Sequence, residues 1–285
     1  MKFYCLHEGF YPGVQLRLDQ LKTACDQLNI EFMPLNSLTI DYSNLPKLTK
    51  TDLLYNATRG SETLETLLLN EEVTTYYINT PDFVVTNPDT TKYSILHDKA
   101  NLQGPKTIYN ITADRQLLKK YIDYLGGFPI VIKATGSTLG IGTIKIETWQ
   151  NLISTVDYLM NTGDKFIMRQ FIKAKCGCRM IVLGNEVIAA ADFVMNEGDF
   201  RNAAILAEAK YYNREYPEAL KQIAVKATHI ANTEFSGVDF LEDEKGNYYL
   251  LEINFPTGFS SLINLCGVDI PKRMVSYLIQ KANDK

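Results

Sequence analysis

The sequence predicts two architectures in one chain: a small α/β unit with mostly parallel strands, then a larger α+β region built from antiparallel hairpins. Three observations carry this. Residues 1–78 alternate strand and helix patterns. The stretch NTPDFVVTNPDTT, 79–91, is dense in Pro, Asn, Asp and Thr and reads as a boundary. Beyond it strand patterns follow one another in pairs, with helices between the pairs.

In the first unit KFYCLH reads as a strand, and GVQLRLDQLKTACDQLN places Leu18, Leu21, Cys25 and Leu28 at helical spacing. DLLYNAT reads as a second strand, SETLETLLLNEE as a second helix and TTYYINT as a third strand. Ser61 is the expected N-cap of that helix, without a full capping box because Leu64 stands three residues on. No GxGxxG occurs here, so a dinucleotide site is not supported. In the second region DRQLLKKYIDYL and TWQNLISTVDYLMN read as helices, the latter capped by Thr148. KFIMRQFI, CRMIVLG, NEVIAAADFV, SGVDFLED and YYLLEINF read as strands, and Pro217 is expected in the first turn of PEALKQIAVKATHIAN.

Composition narrows the function classes. The 285 residues are 46% hydrophobic and 22% charged, with a formal net charge of -4. Such a chain has no bulk attraction for nucleic acid. No apolar run reaches the length of a signal peptide core or a membrane helix, so no membrane partner is expected. The five cysteines read as reduced thiols of a cytoplasmic protein. Cys176-Gly177-Cys178 lacks metal-site spacing and reads as small residues in a strand.

Two stretches carry chemistry. IVIKATGSTLGIGTIKIE places Gly136, Gly140 and Gly142 between two strand patterns. Phosphate loops of the two common kinds run from a strand into a helix; this one is a glycine-rich hairpin tip. Its backbone N–H groups can approach an anion, with Lys133 adding charge from the incoming strand. Taken alone, the stretch equally fits a hairpin without a ligand. The second stretch is GVDFLEDEKGNYYLLEINFPTG. A tight turn at Lys245-Gly246 sets Asp239 directly opposite Glu252. Facing like charges destabilise a ladder unless a cation lies between them. Asn254 shares their face, while Val238, Phe240, Leu251 and Ile253 fall on the opposite, core face. Three oxygen donors suit magnesium shared with nucleotide phosphates. The alternative is an exposed face with tolerated acids, against which the apolar neighbours argue.

From about Asp98 onward the sequence resembles the ATP-grasp superfamily, most closely the RimK-type carboxylate–amine ligases. The stretches that carry the resemblance are HDKANL, GGFPIVIKATGSTLGIG, RQFIKA, RMIVLGNEVIAAADF, EGDFR, SGVDFLED, LLEINFPTG and GVDIPKRMV. It implies a small Rossmann-like domain over 1–90, then a two-lobed ATP-grasp fold: a central lobe over 91–164 with the glycine loop, and a C-terminal lobe over 165–285 with the metal site. It implies ATP and magnesium, with two ions and with manganese as a substitute. Lys99 and Lys133 match ATP-binding lysines, and Gly136, Ser137, Thr138, Gly140 and Gly142 match the loop over the phosphates. Gln170, Phe171 and Ile172 match the segment beside adenine. Arg179 and Arg201 match basic catalytic positions, and Asp239, Glu252 and Asn254 match the metal ligands. For each arginine a surface ion pair is the alternative.

The pattern is not followed throughout. Gln170 stands where relatives usually carry a glutamate, Gly177 where many carry an acid that can hold the ribose, and NAAILAEAKYY replaces a basic run. In the first unit Arg59 follows a strand and could bind a substrate carboxylate or simply open a helix; His7 and Glu8 follow another strand, and His97 is read as structural. The expected activity is ATP-dependent joining of a carboxylate to an amine through an acyl phosphate, on an amino acid, peptide or peptide-like metabolite. A nucleotide-binding regulatory protein without turnover, or a ligase with a thiol or hydroxyl acceptor, are the alternatives. A homodimer or tetramer is expected from the resemblance alone.

Overall fold

The computed structural model describes residues 1–9, 12–79, 91–135, 140–193, 200 and 211–285. Strands β1 (Lys2–His7), β2 (Glu31–Asn36) and β3 (Asp52–Asn56) form a parallel sheet in the order β2-β1-β3. Helix α1 (Pro12–Gln27) connects β1 to β2, and α2 (Glu62–Leu68) follows β3. Strand β2 escapes the sequence pattern because Pro34 interrupts it and its side chains are only partly buried. TTYYINT is not the strand it resembles. Its backbone divides its hydrogen bonds: Thr74 pairs with Leu53, and Tyr77 pairs with Thr233 in the chain ahead of a distant strand. Ser61 occupies the N-cap position of α2 but does not cap it; its hydroxyl is bonded instead to those of Thr58 and Ser37.

After α3 (Thr91–Lys99), a second sheet forms in the order β4-β7-β5-β6 from β4 (Thr107–Ile108), β5 (Ile130–Ala134), β6 (Thr143–Ile146) and β7 (Phe166–Gln170). Helices α4 (Arg115–Leu125) and α5 (Trp149–Thr162) cover one face. Leu118, Ile122, Leu152 and Val156 meet Ile130, Ile132 and Met168 there. Asp114 accepts from the N–H groups of Gln116 and Leu117, and Thr148 from that of Asn151, so both helices start on a side-chain cap. The boundary expected after residue 164 is displaced, because β7 pairs with β5 and completes this sheet.

The third sheet is antiparallel, in the order β10-β9-β8-β11-β12. Its strands are β8 (Ala174–Leu183), β9 (Glu186–Phe193), β10 (Tyr211–Asn213), β11 (Phe235–Asp243) and β12 (Tyr248–Asn254). Helix α6 (Glu218–Ile230) covers one face with Leu220 and Ala224 against Cys178, Met180 and Val182. Pro217 precedes the first turn instead of lying in it. The alternate side chains of β8, Ile181 and Leu183, enter a core shared with β1, α1 and β3. After α7 (Ser260–Cys266), the last helix α8 (Ile270–Asn283) returns to that core through Met274, Val275 and Leu278. Burial on both faces explains the unbroken apolar run of β8. No helix among the described residues is long and apolar enough to cross a membrane.

Gly177 pairs with Phe193 across β8 and β9, and a Cβ on it would lie 1.9 Å from the buried Phe193 ring. Gly177→Ala should therefore cost about 1–3 kcal/mol, as overpacking does where neighbours cannot withdraw. Urea unfolding of the variant checks this; unchanged stability would show that the ring yields.

Candidate active site

The site is built on the β11–β12 hairpin. Gly237 pairs with Asn254, Val238 with Ile253 and Asp239 with Glu252; a β-bulge follows, and Phe240 pairs with Leu250. The connection is longer than the two-residue turn expected: Asp243 accepts from the backbone N–H groups of Lys245 and Asn247. Continued without the bulge, the Phe240–Leu250 pairing would bring Asp239 opposite Leu251. The bulge supplies the one-residue shift that sets the two acids face to face. It also corrects the expected core. Leu250 is buried among the core residues, and Leu251 instead lines the cleft.

Each acid is met by a cation from another strand. Asp239 is fully buried. Arg179, its partner across β8, donates from Nε to Oδ1 at 2.8 Å and from Nη2 to Oδ2 at 2.7 Å. Asn254 Nδ2 adds a bond to Oδ2 at 3.1 Å. Glu252 accepts from Lys133 Nζ at 2.7 Å, across the gap between the second and third sheets. Burial alone would raise the Glu252 carboxyl, but Lys133 above all, with Arg169 and Arg179, outweighs it and holds it at about 2. Three cations around two carboxylates leave a net positive centre, suited to an anion.

Beside this centre lies a cavity of about 120 Å³. It is lined by the apolar side chains of Val131, Phe171, Ile172 and Leu251 together with Lys133 and Glu252. The Phe171 ring packs edge-on against Phe200 at 6.2 Å, and Lys145 lies over its face at 4.9 Å. Gly140 reaches the cavity from the β5–β6 hairpin. Gly140 and Gly142 hold φ of 70° and 73°, a left-handed region open to glycine. The Gly142 carbonyl accepts from Ala134 N–H at 2.9 Å, closing the base of the hairpin.

The structure thus gathers Lys133, Gly140, Gln170, Phe171, Ile172, Arg179, Asp239, Glu252 and Asn254 around one cleft. Lys99 is not among the lining residues; it is exposed at the C-terminal end of α3. Arg59 is partly exposed on the turn after β3, outside this lining. Gly136, Ser137, Thr138 and Arg201 lie outside the described residues. His97 is buried and bonded to the Ala227 carbonyl, and His7 is buried with its Nδ1 bonded to the Gly9 carbonyl. The residue that sequence reasoning passed over is Arg169, which lines the cleft. Its one signal was a charge inside the apolar strand FIMRQ.

The donor set fits magnesium. Among the described residues no group of three or more His, Cys, Asp or Glu side chains is placed to hold a metal ion. Two carboxylates and the Asn254 amide oxygen are the hard, incomplete set that magnesium completes with phosphates and water.

The RimK-like ATP-grasp domain matches residues 89–278. The chain belongs to this family. Within it, the chain is 31% identical over 163 residues to the ribosomal protein bS6–L-glutamate ligase of Escherichia coli (strain K12 / DH10B), covering 56% of this chain and 54% of that protein. It spans about half the length of the curated relatives it matches. Among solved structures, the ATP-grasp ligase PsnB complexed with minimal precursor superposes at a TM-score of 0.76 with 17% identity, covering 99% of both chains. D-alanine–D-alanine ligase from Bacillus anthracis superposes at 0.70 with 15% identity, covering 100% of this chain and 98% of that one. The whole chain therefore has the fold of the ATP-grasp ligases, including the part ahead of the matched domain.

The Lys133–Glu252 pair has a pH signature. Because the folded Glu252 carboxyl is held at about 2, below its usual 4.5, its contribution to stability is complete above about 4.5 and is lost as pH falls toward 2. Lys133→Met should destabilise the protein at pH 7, and the gap from wild type should narrow by pH 3.5. Urea titrations at the two pH values check this; a gap independent of pH would refute the pairing.

Proposed function

We propose that this chain is an ATP-dependent ligase that joins a carboxylate to an amine through an acyl phosphate, with an amino acid, peptide or peptide-like metabolite as substrate. The observation that carries this reading is the pair Asp239 and Glu252, opposed by Arg179 and Lys133, beside a largely apolar cavity that Gly140 of the β5–β6 hairpin also lines. A carboxylate is a poor electrophile, and its phosphorylation supplies a leaving group. Catalysis of such a transfer is positioning and charge neutralisation. Asp239, Glu252 and the Asn254 carbonyl would hold magnesium, two ions in the fullest form and with manganese as a substitute, which would neutralise the transferring phosphoryl group.

Each protein group has a task in this reading. Phe171 and Ile172 line the slot that takes the base. Lys133 exchanges Glu252 for phosphate oxygens, and the hairpin from Gly136 to Gly142, with Ser137 and Thr138, covers them. Arg179 and Arg201 neutralise the acyl phosphate. Arg59, on the turn after β3, receives the substrate carboxylate, and Lys99 adds charge at the nucleotide. Residues 1–90, 91–164 with β7, and the remainder act as three units around the cleft, and the chain works as a homodimer or tetramer. PsnB has been solved with precursor, Mg and ADP, and the Escherichia coli relative joins glutamate to a ribosomal protein. Both support the substrate class.

With magnesium and a panel of amino acids and peptides, one donor–acceptor pair should stimulate ADP release. Glu252→Ala should lower that rate on the order of 100-fold or more, the scale seen when one charge-stabilising group is removed. Absence of stimulation by every pair, together with wild-type behaviour of Glu252→Ala, would sink the reading. Arg59→Ala should raise KM for the carboxylate substrate with little change in kcat, as loss of uniform binding does.

A further inference from the structure

Both acids of the β11–β12 hairpin already carry a cation. Asp239 has no exposed surface; both of its oxygens accept from Arg179, and Oδ2 accepts from Asn254 as well. Glu252 is the acid that the cleft can reach, since it lines the cavity and its side chain is 23% exposed. Lys133, 20% exposed, lines the same cavity and holds Glu252 at 2.7 Å. A metal ion entering the cleft therefore meets a carboxylate whose charge is already answered.

The two ways of parting this pair differ in cost. A metal ion alone takes Glu252 only by displacing Lys133. Among the described residues the one side-chain hydrogen bond of Lys133 is to Glu252, and the other acid, Asp239, is covered by Arg179 and Asn254. The displaced ammonium is left without a partner beside Val131 and Leu251, and breaking an enclosed ion pair leaves one charge uncompensated. A phosphate group instead takes Lys133 and releases Glu252. That carboxylate keeps Arg169 and Arg179 near it, which also hold its proton affinity down. Once released, it can join phosphate oxygens in completing the shell of a magnesium ion. Metal and nucleotide are thereby linked through a single side chain, and such linkage is reciprocal.

We propose that Lys133 is a built-in counter-ion that keeps a metal ion off Glu252 until the phosphates of a nucleotide draw it away, so that the cleft fills nucleotide first. This rests on the cleft being a nucleotide site. The test follows manganese alone, by the electron paramagnetic resonance signal of the free ion, and separately follows a nonhydrolysable ATP analogue, AMPPNP, by calorimetry with EDTA present. Wild type should bind AMPPNP without metal. Lys133→Met should bind manganese alone about tenfold more tightly than wild type and metal-free AMPPNP about tenfold more weakly, an ordinary coupling between linked sites. Lys133→Arg, which keeps a cation on Glu252, should follow wild type in both measurements. Partial unfolding lowers both affinities together, so a rise in one does not come from lost stability. A manganese affinity of Lys133→Met that is below wild type or within about twofold of it overturns the proposal. So does a wild type that binds AMPPNP only when manganese is present. A wild type that binds AMPPNP neither alone nor with manganese removes the nucleotide reading beneath it.

Discussion

Two carboxylates placed face to face on one antiparallel ladder impose the terms on which the rest of the site is assembled. Asp239 and Glu252 would repel each other in a bare hairpin. Each is answered by a base from a separate element: Arg179 from the adjoining strand, Lys133 from the facing sheet. The first answer is local, fixed by the register of β8 on β11. The second crosses between sheets with independent cores. The geometry of the cleft is thus tied to the charge state of one hairpin. Any cation that takes over Glu252 also releases Lys133 from its hold on the opposite wall.

Much of this was legible in the sequence, for reasons that differ from place to place. The glycine hairpin was recognisable because strand patterns flank it on both sides, and its two described glycines hold the backbone angles that motivated the reading. The opposed acids were found by counting outward from a two-residue turn. The count gives the right pair although the connection is longer, because a bulge shifts the register back. The residue misplaced by that count is Leu251, the one the bulge turns toward the cleft.

Other features lie beyond pattern. TTYYINT has the composition of a strand, yet its hydrogen bonds go to two partners far apart in the chain. Strand β2 has the bonding of a strand without its composition. Arg169 carried no motif. Its importance appears only once β7 is seen in the second sheet, with its cleft face opposite Leu251. Tertiary partners decide each of these cases, and local periodicity is blind to them.

The last helix has a structural consequence of its own. Through Met274, Val275 and Leu278, α8 packs into the core that Phe3 and Leu53 share with Ile181 and Phe235. Tyr76 reinforces the joint by bonding the Met274 carbonyl. The chain's end acts as a tie beam between the first sheet and the strands carrying the acids, while the four-stranded sheet keeps a separate core. The molecule has one fused frame and one leaf. Lys133 and Arg169 both lie on the leaf and the hairpin lies on the frame, so their bonds to Glu252 and to the Leu251 carbonyl cross from one to the other.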